Sequence, residues 1–293
     1  MTKYLDTELD WHNPKAAERF KPGEEMTGPY ASALVHLSGL SKASGAEDIV
    51  VLDNACGTGI VTLQLFSLLP EEAKDKLSLT CGDISNSMVD SVAERIIESE
   101  WKGAHAQVAD AMALPFPNDH FTHVLTNFGV VGIPKPRLVL GEIHRVLRPN
   151  GIASFSIWKD VGWYPILEKA AAIIPGAPPM RSFAEFTTFA SSEGNRWIES
   201  DFVESVAKET GFGDVSMQLV ENVSRHRDAK LFFTLYGHMF RLVFQCFWGQ
   251  EQMEKLGALV EPAVTSVLKE EFGEGEISLQ WSAWCVTAKK SGA

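Results

Sequence analysis

The run Ile49-Val50-Val51-Leu52, closed by Asp53 and followed at once by Asn54-Ala55-Cys56-Gly57-Thr58-Gly59, constrains this chain more than any other stretch. Four consecutive apolar residues, three of them β-branched, have no polar face to turn to water. A strand made of them needs cover on both sides, which is the situation of a central strand in a parallel sheet. Thr58 to Leu69 then reads as a helix that stops before Pro70. A strand, a sharp glycine-containing bend and a helix in that order open a βαβ unit, with a ligand-accessible crevice at the carboxyl end of the strand.

The same rhythm continues. Leu77–Cys81 is a second strand and Asn86–Ser99 a second helix, with Met88, Val92, Ile96 and Ile97 as its inner face. Strands are expected at Ala104–Val108 and Phe121–Thr126. A helix follows at Arg137–Leu147, ended by Pro149-Asn150-Gly151, and then a strand from Ile152 to Trp158. Phe202–Thr210 is a short helix closed by Gly211, Val215–Val220 a sixth strand and Ile277–Ala288 a last one. Alternation of this kind predicts an α/β fold, doubly wound, with a mostly parallel seven-stranded sheet and helices on both faces.

Domain organisation follows from where the rhythm breaks. Residues 1–45 read as an N-terminal arm, irregular to residue 13, with two short helical patterns separated by Pro22, Gly23, Gly28 and Pro29. Residues 46–160 form the core. Segments 161–200 and 225–275 are insertions that cap the substrate, and 201–224 with 276–293 complete the sheet. Ala229–Trp248 and Gln250–Phe272 are two helices. The first carries so many aromatic and aliphatic residues that it is a buried helix, an apolar pocket wall or a dimer face.

The bend carries the ligand argument. Gly57 and Gly59 allow close backbone approach, and the helix start turns free N–H groups toward whatever binds. A dinucleotide fingerprint lacks its third glycine, because the position counted from Gly57 is Thr62. No Lys follows the glycines, so a triphosphate cradle is absent as well. Asp53 suits the zwitterionic amino acid tail of a ligand better than it suits a pyrophosphate. Asp83, after the second strand, is placed to take both hydroxyls of a ribose, and Asp110, after the third, to accept from an adenine amine. The helix cap that Asp83 would otherwise supply is available from Ser85 or Asn86.

Composition removes other classes. The net charge of -12 repels phosphate backbones, so no nucleic acid partner is expected. No uncharged apolar run spans a bilayer and the start is not a secretory signal, so no membrane partner and a cytoplasmic location are expected. Cys56, Cys81, Cys246 and Cys285 make no CxxC pair, and buried free thiols are the expectation for Cys56 and Cys81. Only Asp160 is well placed among carboxylates to assist a metal, so none is expected.

Taken together, Val50–Gly59, Cys81-Gly82-Asp83-Ile84-Ser85 with Met88, Asp110-Ala111 before Leu114-Pro115-Phe116, and Ile143–Gly151 resemble the seven-stranded, Rossmann-like S-adenosylmethionine-dependent methyltransferases. The likeness is strong over residues 48–158. The phrase Leu52–Gly57, the arm from Phe20 to Tyr30, and Trp158 to Pro165 make the whole length look like fungal secondary-metabolite methyltransferases of the gliotoxin bis-thiomethyltransferase type. The resemblance implies that Asp53, Ala55, Gly57, Gly59, Asp83, Ile84, Met88, Asp110, Ala111 and Asn127 hold S-adenosyl-L-methionine and its product S-adenosyl-L-homocysteine. One departure stands out: the family usually has Gly where this chain has Ala55. Ala is strained in a left-handed backbone, so a negative φ is expected there.

The expected reaction is methyl transfer to a nucleophilic atom of a small apolar secondary metabolite, with sulfur first and oxygen or nitrogen next. Positioning and exclusion of water supply most of what such a displacement needs. Candidates for the acceptor side are Asn127, Phe128 and Trp158, with Tyr30 and Trp163 closing over it. His12, Tyr30 and His226 are candidate bases, while His123 and the solvent-facing His144 are structural. A cyclase or regulatory protein that binds the cofactor without transferring methyl, and an NAD-dependent reductase, are the competing readings. The chain is expected to be a monomer or a homodimer.

Overall fold

The computed structural model describes residues 11–190 and 196–292, so the first ten residues of the expected irregular arm lie outside the described part. Contacts divide the chain into two compact units. One comprises Trp11–Trp158, Trp197–Val220 and Ala283–Ala293; the other contains Lys159–Arg196 and Glu221–Ser282. The first therefore includes most of the expected arm, and the second approximates the two expected insertions.

The first unit is built on the sheet. The strands are β1 (Ile49–Asn54), β2 (Leu77–Asp83), β3 (Ala104–Val108), β4 (Phe121–Asn127), β5 (Leu147–Asp160), β6 (Phe212–His226) and β7 (Ile277–Lys290), in the order β3-β2-β1-β4-β5-β7-β6, with residues 159–160, 221–226 and 277–282 of the last three counted in the second unit. β1 lies parallel between β2 and β4, and the β2–β3 and β4–β5 pairs are parallel too. This is the doubly wound, mostly parallel seven-stranded sheet expected. β1 is central, as its unbroken apolar run required, and five of its six residues are buried. The order reverses between β1 and β4, where an open α/β sheet leaves a crevice at the carboxyl ends of its strands.

Helices α1 (Ala16–Phe20), α2 (Glu24–Leu37), α3 (Ile60–Leu68), α4 (Glu71–Lys74), α5 (Asn86–Glu98), α6 (Pro136–Val146) and α9 (Ser200–Glu209) belong to this unit. α6 buries Val139, Leu140, Ile143 and Val146, one stripe of a 3.6-residue period, beside Phe155, Val203, Val206 and Phe212. Burying each such side chain is worth about 1.5–3 kcal/mol. Arg145 on α6 holds the segment after β3 in place. It pairs with Glu142 at 2.7 Å and donates to the carbonyls of Phe116 (2.8 Å) and Leu114 (3.0 Å).

Several local expectations are corrected. α2 does not break at Gly28-Pro29 but runs through both. Packing of Tyr30, Ala31, Leu34 and Val35 in the core outweighs the backbone bond that a proline removes. On α5, Met88 and Val92 are buried but Ile97 is 77% exposed, since it lies off the i, i+4 stripe that faces inward. Pro149-Asn150-Gly151 is not the end of α6: the helix stops at Val146, and β5 already begins at Leu147 with a register shift opposite Phe121–His123. His144 is not on the solvent side; its ring meets Phe212 edge-on at 4.9 Å. Gly211, with φ 107, closes α9 as expected.

The second unit holds α7 (Tyr164–Ile173), α8 (Phe183–Ala190) and α10 (Ala229–Phe272). α10 is two helices joined at Gly249, whose φ of 72 and ψ of 175 are not helical. Phe232, Tyr236, Phe240, Val243 and Phe244 are buried, so the aromatic stripe is the core of this unit. Among the described residues, no helix is long and apolar enough to cross a membrane.

Candidate active site

The bend after β1 is a sequence of left-handed residues. Ala55, Gly57 and Gly59 have φ of 53, 54 and 88. The expected negative φ at Ala55 is therefore wrong. The chain must leave β1, bring Cys56 N–H to the Gly82 carbonyl (3.0 Å) and enter α3 at Gly59 within five residues. Ala55 is tolerated because Gly129 makes room: a Cβ on Gly129 would lie 2.7 Å from that of Ala55. At Gly57 an added Cβ would meet nothing within 4 Å, so the space above the bend is open.

Asp53, next to last in β1, is fully buried. One carboxylate oxygen, Oδ2, accepts from the Thr62 amide (3.1 Å) and hydroxyl (2.7 Å) on α3. The other, Oδ1, is buried and has no hydrogen-bond partner. Burial pushes the Asp53 carboxyl up to about 7, against the Thr62 bonds, and the Asp83 charge raises it further. An orphaned acceptor of this kind is costly in the free protein and is offset by a ligand that brings a donor, best a cationic one.

Asp83, at the end of β2, accepts from the Gly57 amide through Oδ2 and from the Ser85 amide through Oδ1, both at 2.9 Å. Desolvation raises its carboxyl while these backbone donors oppose the shift. Ser85 is the cap of α5, its hydroxyl facing the Met88 amide at 3.4 Å, so Asp83 is indeed not needed for capping. Asp110 follows β3, half-buried, with Oδ1 accepting from Met112 N–H at 2.8 Å beside the buried Ala111. The three acids thus end three neighbouring parallel strands. Ile84 is half-buried, and Met88 is buried against Ala16 and Ala17 of α1.

A second group gathers at the ends of β4 and β5. Asn127 donates from Nδ2 to the Thr27 carbonyl of α2 (3.3 Å) and accepts at Oδ1 from the Ser156 hydroxyl (2.7 Å). Tyr30 of α2 is buried with its ring edge-on to Phe128 (5.3 Å) and Trp158 (5.2 Å), which stack on each other at 3.7 Å. Tyr30, Asn127 and Trp158 are therefore brought together. His12 is not placed in this group; it is exposed in the turn before α1. His226 and Trp163 lie in the second unit, His226 buried against the Ser224 and Tyr236 hydroxyls and Trp163 against Phe240. Asp160 accepts from the Ser282 hydroxyl at 2.8 Å, and among the described residues no group of His, Cys, Asp and Glu is arranged to hold a metal.

Five contributors, Thr62, Glu24, Arg95, Ser156 and Asn54, were not singled out from the sequence. Thr62 bonds Asp53 across nine residues, and its signal was a hydroxyl in the first turn of the helix that follows a strand-end acid. Glu24 on α2 takes Arg95 of α5 in a bidentate pair (2.8 and 3.1 Å), Arg95 also donates to the Thr58 carbonyl (3.0 Å), and the Thr58 hydroxyl donates to Glu24. Ser156 had a signal, a hydroxyl inside a buried apolar strand, and Asn54 another, a buried amide at the end of β1.

Residues 51–151 match the family model described as a methyltransferase domain. Methyltransferase tpcH of Aspergillus fumigatus is 31% identical over 268 residues, covering 90% of this chain and 92% of that protein. This chain belongs to the S-adenosylmethionine-dependent methyltransferases. Acetylaranotin bis-thiomethyltransferase of Aspergillus terreus is also 31% identical, over 89% of this chain and 88% of its own length. Haemonchus contortus phosphoethanolamine N-methyltransferase 2, solved with S-adenosyl-L-methionine, shares the fold at 17% identity with a TM-score of 0.51, over 89% of this chain and 52% of that one. The methyltransferase described here thus uses S-adenosyl-L-methionine to methylate a small molecule. The bend and its acids fit that cofactor: an orphaned buried carboxylate oxygen, an open space above Gly57 and two further strand-end carboxylates match a molecule with an ammonium, a ribose and an adenine.

Proposed function

We propose that this methyltransferase acts on the sulfur of a small apolar metabolite, with the bend after β1 and the three strand-end acids holding the donor and the Tyr30–Asn127–Phe128–Trp158 group facing the acceptor. The observation that carries the donor side is the buried, unpartnered Oδ1 of Asp53 at the head of the left-handed bend. Asp53 receives the ammonium end of the cofactor, Ala55, Gly57 and Gly59 keep the backbone low beneath it, and Ile84 and Met88 line its flank. Asp83 bonds the ribose hydroxyls in addition to the Gly57 and Ser85 amides, since each carboxylate oxygen has room for two donors. Asp110 accepts from the adenine amine beside Ala111.

When bound, the cofactor supplies an electrophilic methyl group. The chain's part is to align the acceptor and keep water out, work suited to three aromatic rings, Tyr30 from the middle of α2 and Phe128 and Trp158 from the ends of β4 and β5. Sulfur is favoured because a thiol, with a pKa of about 8.5, is partly ionised near neutrality and needs no dedicated base. His12, exposed outside the group, is not assigned a catalytic part in this reading. Likeness along most of the chain to a bis-thiomethyltransferase supports the choice.

Mass spectrometry of products from a panel of thiols, phenols and amines tests the acceptor atom: S-methylated products together with S-adenosyl-L-homocysteine are expected, and transfer to phenols or amines alone would refute sulfur. Calorimetry tests the donor side. Asp83→Ala is expected to weaken S-adenosyl-L-homocysteine binding several-fold to a hundredfold while the domain stays folded, and unchanged affinity removes the ribose role.

A further inference from the structure

We propose that Ser156 is a positioning residue for acceptor recognition, and that the Phe128–Trp158 pair it supports is a stacking wall selecting acceptors with a flat aromatic face. The proposal rests on the reading that this end of the sheet faces the acceptor, and it names the class of molecule that face prefers.

The starting point is Phe128, with φ of 58. A bulky residue in the left-handed region is a genuine outlier, and such strain persists only where the surroundings over-determine it. Ser156 does so. Fully buried in β5, its hydroxyl oxygen accepts from the Phe128 amide at 2.9 Å and its proton goes to Asn127 Oδ1 at 2.7 Å. Asn127 is fixed in turn by the Thr27 carbonyl of α2. One hydroxyl thus sets both the amide of Asn127 and the backbone of the strained residue beside it.

The consequence is the ring arrangement. Phe128 lies 9° from parallel with Trp158 at 3.7 Å, and Tyr30 meets both rings edge-on at 80°. Tyr30 is buried, but Phe128 and Trp158 each keep partial exposure. Two stacked rings with accessible surface, backed by a buried third, offer a π face and a polarised edge. Those features favour an aromatic ligand over an aliphatic one of equal size.

The test compares 2-phenylethanethiol with 2-cyclohexylethanethiol, two thiols of equal carbon count whose sulfur lies two carbons from the ring, so that the ring's effect on sulfur basicity is small. Turnover gives kcat/KM for each, and calorimetry in saturating S-adenosyl-L-homocysteine gives each Kd. The wild-type protein is expected to prefer the aromatic thiol at least fivefold, and Trp158→Leu and Phe128→Leu to bring the ratio near one. Ser156→Ala is expected to raise KM for the aromatic thiol more than it lowers kcat, and Ser156→Thr, which keeps the hydroxyl, to recover the preference. Phe128→Gly removes both ring and strain: it is expected to melt no lower than wild type yet to lose the preference, which separates recognition from packing. Absence of turnover with both thiols counts against the sulfur reading, while the Kd ratio still decides the wall. A wild-type ratio near one in binding, or a preference untouched in both leucine variants, overturns the proposal.

Discussion

Asp53 and Ala55, two residues apart, show how a cofactor bend stores cost at single positions. The Asp53 carboxyl is raised to about 7 by burial, so the unfolded chain, near 3.8, releases its proton first. Stability from this group is full below the unfolded value and is lost as pH rises toward and through 7. Thermal melts of the free protein are expected to show that loss between about pH 4 and 7, and Asp53→Asn to flatten it. S-adenosyl-L-homocysteine, whose ammonium favours the ionised carboxylate, is expected to bind more tightly at pH 7.5 than at 5.5 by calorimetry. A pH-independent affinity would contradict the contact. At Ala55 the left-handed backbone costs about 1 kcal/mol, so Ala55→Gly is expected to be neutral or stabilising by up to that amount in a denaturant titration. Gly129→Ala is expected to destabilise, because its Cβ would sit 2.7 Å from Ala55 Cβ and 2.9 Å from Thr126 Cγ2. In Ala55→Gly the first clash is gone, so the double variant should be less damaged than the two effects summed.

At the scale of elements, α2 links the two halves of the candidate site. Glu24 ties its start to Arg95 and Thr58, Thr27 meets Asn127, and Tyr30 meets Phe128 and Trp158. The spacing 24, 27 and 30–31 follows one face of a helix. Arg95→Ala leaves a largely buried Glu24 and the Thr58 carbonyl without this donor. It is expected to cost about 1–3 kcal/mol in thermal denaturation and to weaken S-adenosyl-L-homocysteine binding by loosening the bend. In the second unit, Gly249 joins the halves of α10 at a φ/ψ combination open essentially only to glycine. Gly249→Ala is expected to destabilise by about 1–3 kcal/mol, read as a lower Tm.

For the whole molecule, binding energy becomes stability by mass action. S-adenosyl-L-homocysteine at a hundred times its Kd is expected to add about 2.7 kcal/mol and raise Tm by several degrees, while NADH at the same concentration leaves it unchanged. An equal shift with NADH would reopen the reductase reading. The mostly parallel sheet and the central place of β1 were legible in advance because a buried parallel strand writes itself as a continuous apolar run and its helix as a 3.6-residue stripe, whereas the strand order was not. The positions of Asp53, Asp83 and Asp110 at or just past strand ends, and of Gly57 and Gly59 in the bend after β1, were legible for a related reason: strand ends can be read locally. What only the tertiary structure decided were contacts between residues far apart in the chain, such as Arg95 with Glu24 and Ser156 with Phe128. The left-handed Ala55 belongs with them, since Gly129, seventy-four residues away, is what leaves it room. Sequence periodicity records which face of an element avoids water, whereas the partner met there, and the backbone angle that meeting permits, are set by packing across the whole fold.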